Sequence, residues 1–255
     1  MVLRIGTSGY QYRHWRGRFY PVGLPTDRWL PHYANAFDTV ELNVTFYRLP
    51  AATTFAGWAG TVPDEFVFAV KASRYLTHVR RLQDPGPAVA RLLERAQKLG
   101  PRFGPVLLQL PPDMRFEPER LAATLAAFPR NVRVAVEPRH PSWFVAECRR
   151  MLERHRAALC LTDRGSRPGP IWRTADWTYL RLHEGRASPP PCYGRAALAG
   201  WLDRLSGEWG RDADAYVYFN NDGLGCAVRD AALLGRIARR AGMPTTRTPA
   251  PIAVP

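Results

Sequence analysis

The chain has 255 residues, of which 46% are hydrophobic and 11% aromatic: enough for one large core, and far too much for a disordered or fibrous protein. No apolar run approaches the roughly 20 residues that cross a bilayer, and the start, MVLRIGTSGY, lacks the apolar stretch of a signal peptide, so a cytoplasmic protein without a membrane partner is expected. Thirty-six basic against 22 acidic residues give a formal charge of +14, which favours anionic partners, nucleic acid included, although a GC-rich coding bias towards Arg, Pro and Ala produces the same skew.

Eight short apolar or β-branched runs predict strands at Leu3–Thr7, Thr39–Thr45, Phe66–Lys71, Val106–Leu110, Val132–Glu137, Ala158–Asp163, Thr178–His183 and Ala215–Asn220. Helical patterns fill most gaps: Thr26–Phe37, Pro87–Leu99, Glu117–Phe128, Pro141–His155, Arg195–Leu205 and Asp230–Ala241. The crossover from Arg164 to Trp177 is too rich in Gly and Pro for a helix. This alternation predicts an irregular, single-domain TIM-like (β/α)8 barrel over residues 1–241, ahead of a doubly wound sheet, with 242–255 as a loose, flexible Pro-rich tail. Cys148, Cys160, Cys192 and Cys226 lie 12, 32 and 34 residues apart, share no zinc or redox spacing, and are expected to be reduced thiols.

Side chains alternate across a strand. In TVELNVT, Val40, Leu42 and Val44 take one face, and Glu41, Asn43 and Thr45 the other. The same alternation sets Lys71 with Val67 and Ala69, Gln109 with Leu107, and Glu137 and Arg139 with Ala135. It also sets Asp163 with Leu159 and Leu161, and Arg181 and His183 with Tyr179. A barrel would gather these polar ends, with Asn220, at its C-terminal mouth, where burying so many polar groups implies a pocket.

The set holds Glu41, Glu137 and Asp163 against Lys71, Arg139 and Arg181. Interleaved cations would repel a divalent ion, so no metal is expected; no nucleotide-binding motif appears, so no cofactor is expected either. Acid–base machinery with an anion clamp fits better. Arg139 and Arg181 would clamp a phosphate or carboxylate, while Glu137 or Glu41 accepts a proton. Lys71 and Lys98 are the only lysines beside 34 arginines. A desolvated lysine can release its proton and serve as base or imine nucleophile, as arginine cannot; the simpler alternative is a slot too small for Arg. The GTSG at Gly6–Gly9 reads as a tight turn. The loops mix aromatics with arginine: Tyr10 to Pro21, then Arg48, Arg74, Tyr75, Arg80, Arg81, Arg164, Arg167, Trp172, Arg173 and Arg186. That composition suits single-stranded nucleic acid.

Several segments together resemble the YecE-like family, domain of unknown function 72: IGTSGY at Ile5–Tyr10, TVELNVTFYRLP at Thr39–Pro50, FVFAVKASRYLTH at Phe66–His78, GPVLLQLPP at Gly104–Pro112, VAVEPRHPSW at Val134–Trp143, YLRLH at Tyr179–His183 and YVYFNND at Tyr216–Asp222. The resemblance implies a TIM-like barrel but no reaction. It maps motif residues onto Glu41, Asn43, Lys71, His78, Gln109, Glu137, Arg139, His140, Arg181, His183, Asn220, Asn221 and Asp222, with Thr7, Gly9, Tyr10 and Tyr47 inside the same segments. Pro138 stands where the family has an aromatic or aliphatic residue, and Glu184 where it has Gly.

The resulting expectation is a monomeric, metal-independent barrel enzyme with hydrolytic or proton-transfer chemistry on an anionic, possibly phosphorylated small molecule. Its catalytic residues would be Glu41, Lys71, Glu137, Asp163 and His183, and the remaining mapped residues would bind substrate. The alternative is a nucleic-acid-binding or -processing protein using the Arg/aromatic loops.

Overall fold

Parallel strands buried on both faces read as near-continuous apolar runs, and each predicted run becomes a strand. The computed structural model describes residues 2–164, 169–210 and 213–251. Its strands are β1 (Val2–Thr7), β2 (Thr39–Leu42), β3 (Val67–Lys71), β4 (Phe103–Gln109), β5 (Val134–Glu137), β6 (Ala158–Thr162), β7 (Trp177–Leu182) and β8 (Asp214–Phe219). They pair in parallel in the order β1-β8-β7-β6-β5-β4-β3-β2. The β1–β2 seam is thin: one bridge, Ser8 to Glu41, and a bond from Gly9 N to Glu41 O at 2.8 Å close the barrel. Gly6 is required there, because a Cβ on it would lie 2.3 Å from Thr39 O. An irregular TIM-like barrel is therefore observed, as the strand count implied.

The helices are α1 (Trp29–Ala36), α2 (Val44–Tyr47), α3 (Ala52–Ala59), α4 (Gly86–Ala96), α5 (Pro118–Ala126), α6 (Ala146–Arg154), α7 (Arg195–Trp209) and α8 (Cys226–Arg240). Two differences from the sequence reading shape the site. The second strand stops at Leu42, and Asn43 is already helical, with φ −86° and ψ −24°. Thr45 helps to end it: its one hydroxyl proton is shared between Leu42 O at 2.8 Å and Lys71 O at 2.7 Å, offering those carbonyls a partner other than the ladder. The α3 helix was not foreseen, because Thr53, Thr54 and Gly57 weaken its local signal; burial of Phe55 and Ala59 holds it. The described part of the β6–β7 crossover contains no helix, as expected.

Inside the barrel, small Ala69, Ala135 and Ala158 face the bulky Trp177, Tyr179, Tyr216 and Tyr218, filling the lumen as a packed core. The face assigned to β6 needs correction. Leu159 and Leu161 pack outward with the helices, and Ala158 and Cys160 point inward. Asp163 consequently lies beyond the strand and is not part of the inward series.

The C-terminal segment is not loose where it is described. Leu3 N donates to Pro244 O and Thr246 N to Leu3 O, each at 2.9 Å, and Arg247 pairs with Asp38. Unused backbone groups on β1 explain this docking; residues 252–255, like Arg167, lie outside the described residues. The cysteine expectation is also corrected: Cys192 and Cys226 form a disulfide, their Cα atoms 4.9 Å apart, while Cys148 and Cys160 are free and buried. The bond ties the β7–α7 loop to the start of α8, and it removes the thiol argument for a cytoplasmic location. No helix among the described residues is long and apolar enough to cross a membrane.

Candidate active site

At the C-terminal mouth one guanidinium joins two buried carboxylates. Arg181, on β7, donates from Nη2 to Glu41 Oε1 at 2.9 Å and from Nη1 to Glu137 Oε2 at 2.7 Å. Glu41 also accepts from the Ser8 hydroxyl and, at 2.6 Å, from the Tyr179 hydroxyl. Glu137 Oε1 accepts from Gln109 Nε2 at 2.9 Å and from Arg139 Nε and Nη2, both at 3.1 Å. All four carboxylate oxygens are thus engaged. Asn43 reaches the cluster from the first residue beyond β2, donating to Ser8 O at 3.1 Å and Ser8 Oγ at 3.2 Å.

These contacts set the protonation states. Burial alone would raise the Glu137 carboxyl, but the Arg181 and Arg139 charges outweigh it and hold it at about 2. Such a group is a weak base at neutral pH. Lys71 shifts the other way. Burial first, then the Arg181 charge, bring its ammonium down to about 8, with Glu41 and Glu137 only partly opposing. Its Nζ sits 4.3 Å from the centroid of the Phe46 ring and makes no hydrogen bond or ion pair with any described residue. His183 is neutral: burial and the Arg181 charge lower it to about 3. The Asn220 amide nitrogen faces its Nδ1 at 2.9 Å, which puts the imidazole proton on Nε2, and that buried atom has no partner among the described residues. His78 lies on a π-helical turn (Tyr75–Val79), its ring 5.0 Å from that of Phe46. Burial and the Lys71 charge lower it to about 4.

The profile of the family described as "Protein of unknown function DUF72" matches residues 4–253. The chain belongs to the DUF72 family. This DUF72 chain is 35% identical over 118 residues to UPF0759 protein YecE of Escherichia coli strain K12, covering 45% of the chain and 43% of that protein. The chain thus spans less than half the length of that curated relative. A crystal structure of a DUF72 family protein from Thermotoga maritima MSB8 superposes with a TM-score of 0.83 at 26% identity, covering 94% of this chain and 100% of the other. Another, from Enterococcus faecalis V583, gives 0.77 at 18% identity, covering 93% and 96%, and supports the fold alone.

Other motif residues of this DUF72 protein have structural partners. Asp163 accepts from His183 N at 2.8 Å and from the Tyr193 hydroxyl, so it anchors the β7–α7 loop and positions His183. Glu184 takes the place of the family's Gly without a left-handed backbone and is tied to the same anchor. Asn221 turns away from the mouth, donating to Asp230 Oδ2 at 2.7 Å and Pro191 O at 2.9 Å. Asp222 fastens the first loop to the last, accepting from Trp15 Nε1 at 2.7 Å beside His14 at 2.8 Å; burial raises it to about 6. Thr7 donates to Gly9 O at 2.7 Å and faces Tyr33, and Tyr10 packs into the outer core. Gly9 adopts φ +93° to carry the chain over Glu41. His140 accepts from Ser142 N at 3.2 Å and caps a short helical turn. Tyr47 is 80% exposed on the rim.

Three contributors were missed as site residues. Ser8 continues the alternation of β1, but GTSG reads as a turn. Tyr179 was placed on the inward face, yet its bond to Glu41 depends on opposite sides of the barrel meeting. Phe46 lies on the helix that replaces the end of the predicted second strand, so no local signal announces it. Beside the Glu137–Arg139 pair opens a cavity of about 250 Å³ lined also by Phe144, Thr162 and Arg164. Among the described residues no three His, Cys, Asp or Glu side chains stand together as a metal-ligand set.

Proposed function

We propose that this DUF72 protein is an enzyme whose barrel mouth binds an anionic small molecule and acts on it by proton transfer or hydrolysis without a metal. One observation carries the reading. Three cations, Lys71, Arg139 and Arg181, meet two carboxylates whose oxygens are already committed, and Lys71 lacks a described partner. Among these five groups positive charge exceeds negative by one when Lys71 is protonated, and a phosphate or carboxylate would supply what Lys71 lacks. Roles follow from who is free. Arg181 is buried and used up on Glu41 and Glu137, so it acts through its field. Arg139, whose Nη1 has no partner among the described residues, and Lys71 make the contact. Lys71 titrates near neutrality and carries the proton, whereas Glu137 and Glu41 hold Arg181 in place.

Calorimetric titration with inorganic phosphate, sulfate and small carboxylates tests this. Binding that disappears in Lys71→Met and Arg139→Ala is expected; absence of binding in the unaltered protein at millimolar anion overturns it. The nucleic-acid reading finds support in rim residues Tyr47 and Tyr75, 80% and 57% exposed beside Arg48 and Arg74. It requires affinity for single-stranded oligonucleotides that falls steeply with salt.

A further inference from the structure

We infer that Lys71 is an imine-forming nucleophile and that the substrate class is a small carbonyl compound bearing a carboxylate or phosphate. The inference rests on the proposed anion-binding mouth and adds to it the electrophile.

An amine that attacks a carbonyl must be held out of bulk water, must not be locked in an ion pair, and must shed its proton readily. Lys71 meets each condition by placement. It ends β3, with the residue only 8% exposed and the Phe46 ring beneath its Nζ at 4.3 Å. The two carboxylates that would pair with it are instead bound to Arg181, Arg139, Gln109, Tyr179 and Ser8. Glu41 from β2, Glu137 and Arg139 from β5 and its end, and Arg181 from β7 exert charge on Lys71, and His78 from the π-helical turn lies close enough to feel the Lys71 charge. Burial, with the two guanidinium charges, outweighs the two carboxylates, and the position near 8 leaves about a tenth of Lys71 as free amine at pH 7. An ordinary lysine at 10.5 would supply several hundredfold less.

The step balances without a redox partner. The ammonium releases one proton to solvent, and the amine lone pair forms the C–N bond as the carbonyl π pair moves to oxygen and collects a proton. The two protons shed by the amine nitrogen, this one included, pass to that oxygen, which leaves the carbinolamine as water, and the nitrogen lone pair forms the C=N bond to Lys71. Arg139 receives the substrate's anionic group. His78, kept neutral against the same Phe46 ring, is the nearby group placed to relay protons during dehydration.

The sequence makes the test clean, because Lys98 is the only other lysine and it is exposed. The full chain is incubated at pH 7 with pyruvate, glyceraldehyde 3-phosphate or, as an uncharged comparison, acetaldehyde. Sodium cyanoborohydride then delivers hydride to any imine carbon, and peptide mapping by mass spectrometry reads the secondary amine at each lysine. Labelling of Lys71 at least about tenfold above Lys98 is expected with the anionic carbonyls. Its pH dependence should have a midpoint near 8. Arg139→Ala should remove the preference for anionic probes over acetaldehyde at Lys71. Labelling of Lys98 equal to or above that of Lys71 overturns the inference. If phosphate still binds while Lys71 stays unlabelled, only the imine fails; if phosphate does not bind either, the anion site itself has failed. Lys71→Arg, which keeps the charge but cannot form an imine, should show no label at position 71.

Discussion

Arg181→Met puts the central network to its severest trial. The change keeps the apolar stem of the side chain but removes the one cation that bridges Glu41 and Glu137. Both carboxylates are fully buried, so breaking the pair leaves charge uncompensated, a loss of about 3–5 kcal/mol. The protonation of Glu137 gives a second measure. Its carboxyl stands at about 2 against an ordinary 4.5, a difference worth about 3 kcal/mol. A depressed carboxylate stabilises the fold above its unfolded value and loses that contribution as pH falls through the folded one. The unaltered protein should therefore weaken from pH 5 downwards towards pH 2. Without Arg181, burial dominates, the Glu137 carboxyl rises, and the slope reverses: Arg181→Met should become more stable as pH falls from 7 to 5. Urea denaturation followed by tryptophan fluorescence at pH 7, 5 and 4 reads both effects. A variant within about 1 kcal/mol of the parent at pH 7, with the same sign of pH dependence, would refute the picture of a buried triad held by Arg181.

Lys71→Met should behave oppositely, because Lys71 is a buried cation with no described ion pair. A lysine lowered to about 8 from 10.5 costs the fold stability at neutral pH and returns it as pH rises from 8 to 10. The variant should thus be more stable at pH 7, by about 1–3 kcal/mol, and should lose that alkaline rise; a destabilised Lys71→Met would instead make Lys71 a structural partner of the carboxylates. Gly6→Ala should destabilise by about 2 kcal/mol or more, read by thermal denaturation, since its Cβ would lie 2.3 Å from Thr39 O in the seam that closes the barrel; a near-neutral result would mean that β1 and β2 can separate freely. Replacing Cys192 and Cys226 together by Ser should cost about 2–4 kcal/mol, because the bond spans 34 residues of sequence. An unchanged melting temperature, or free thiols at both positions by mass spectrometry, would count against that bond.

What the sequence by itself determined is the order of layers and most inward faces. Hydrophobic period is a local property, so eight strand runs, the helices at α4, α5, α7 and α8, and the inward set Glu41, Lys71, Gln109, Glu137 and Arg181 were all legible. Tertiary structure decided how those groups relate to one another. Whether Glu137 is a base or a counter-ion depends on Arg181, 44 residues away, and on Arg139 curling back to it. Whether Lys71 is paired depends on which cations reached the carboxylates first in space. The disulfide, the docking of residues 244–247 on β1 and the turn of Asn221 away from the mouth are likewise contacts between segments distant in sequence. Asp163 shows the limit of alternation: period 2 groups Asp163 with Leu159 and Leu161, but packing decides that this face of β6 points outward, and the strand itself ends at Thr162. Charge states follow distances across the barrel, and those distances exist only after the ring has closed.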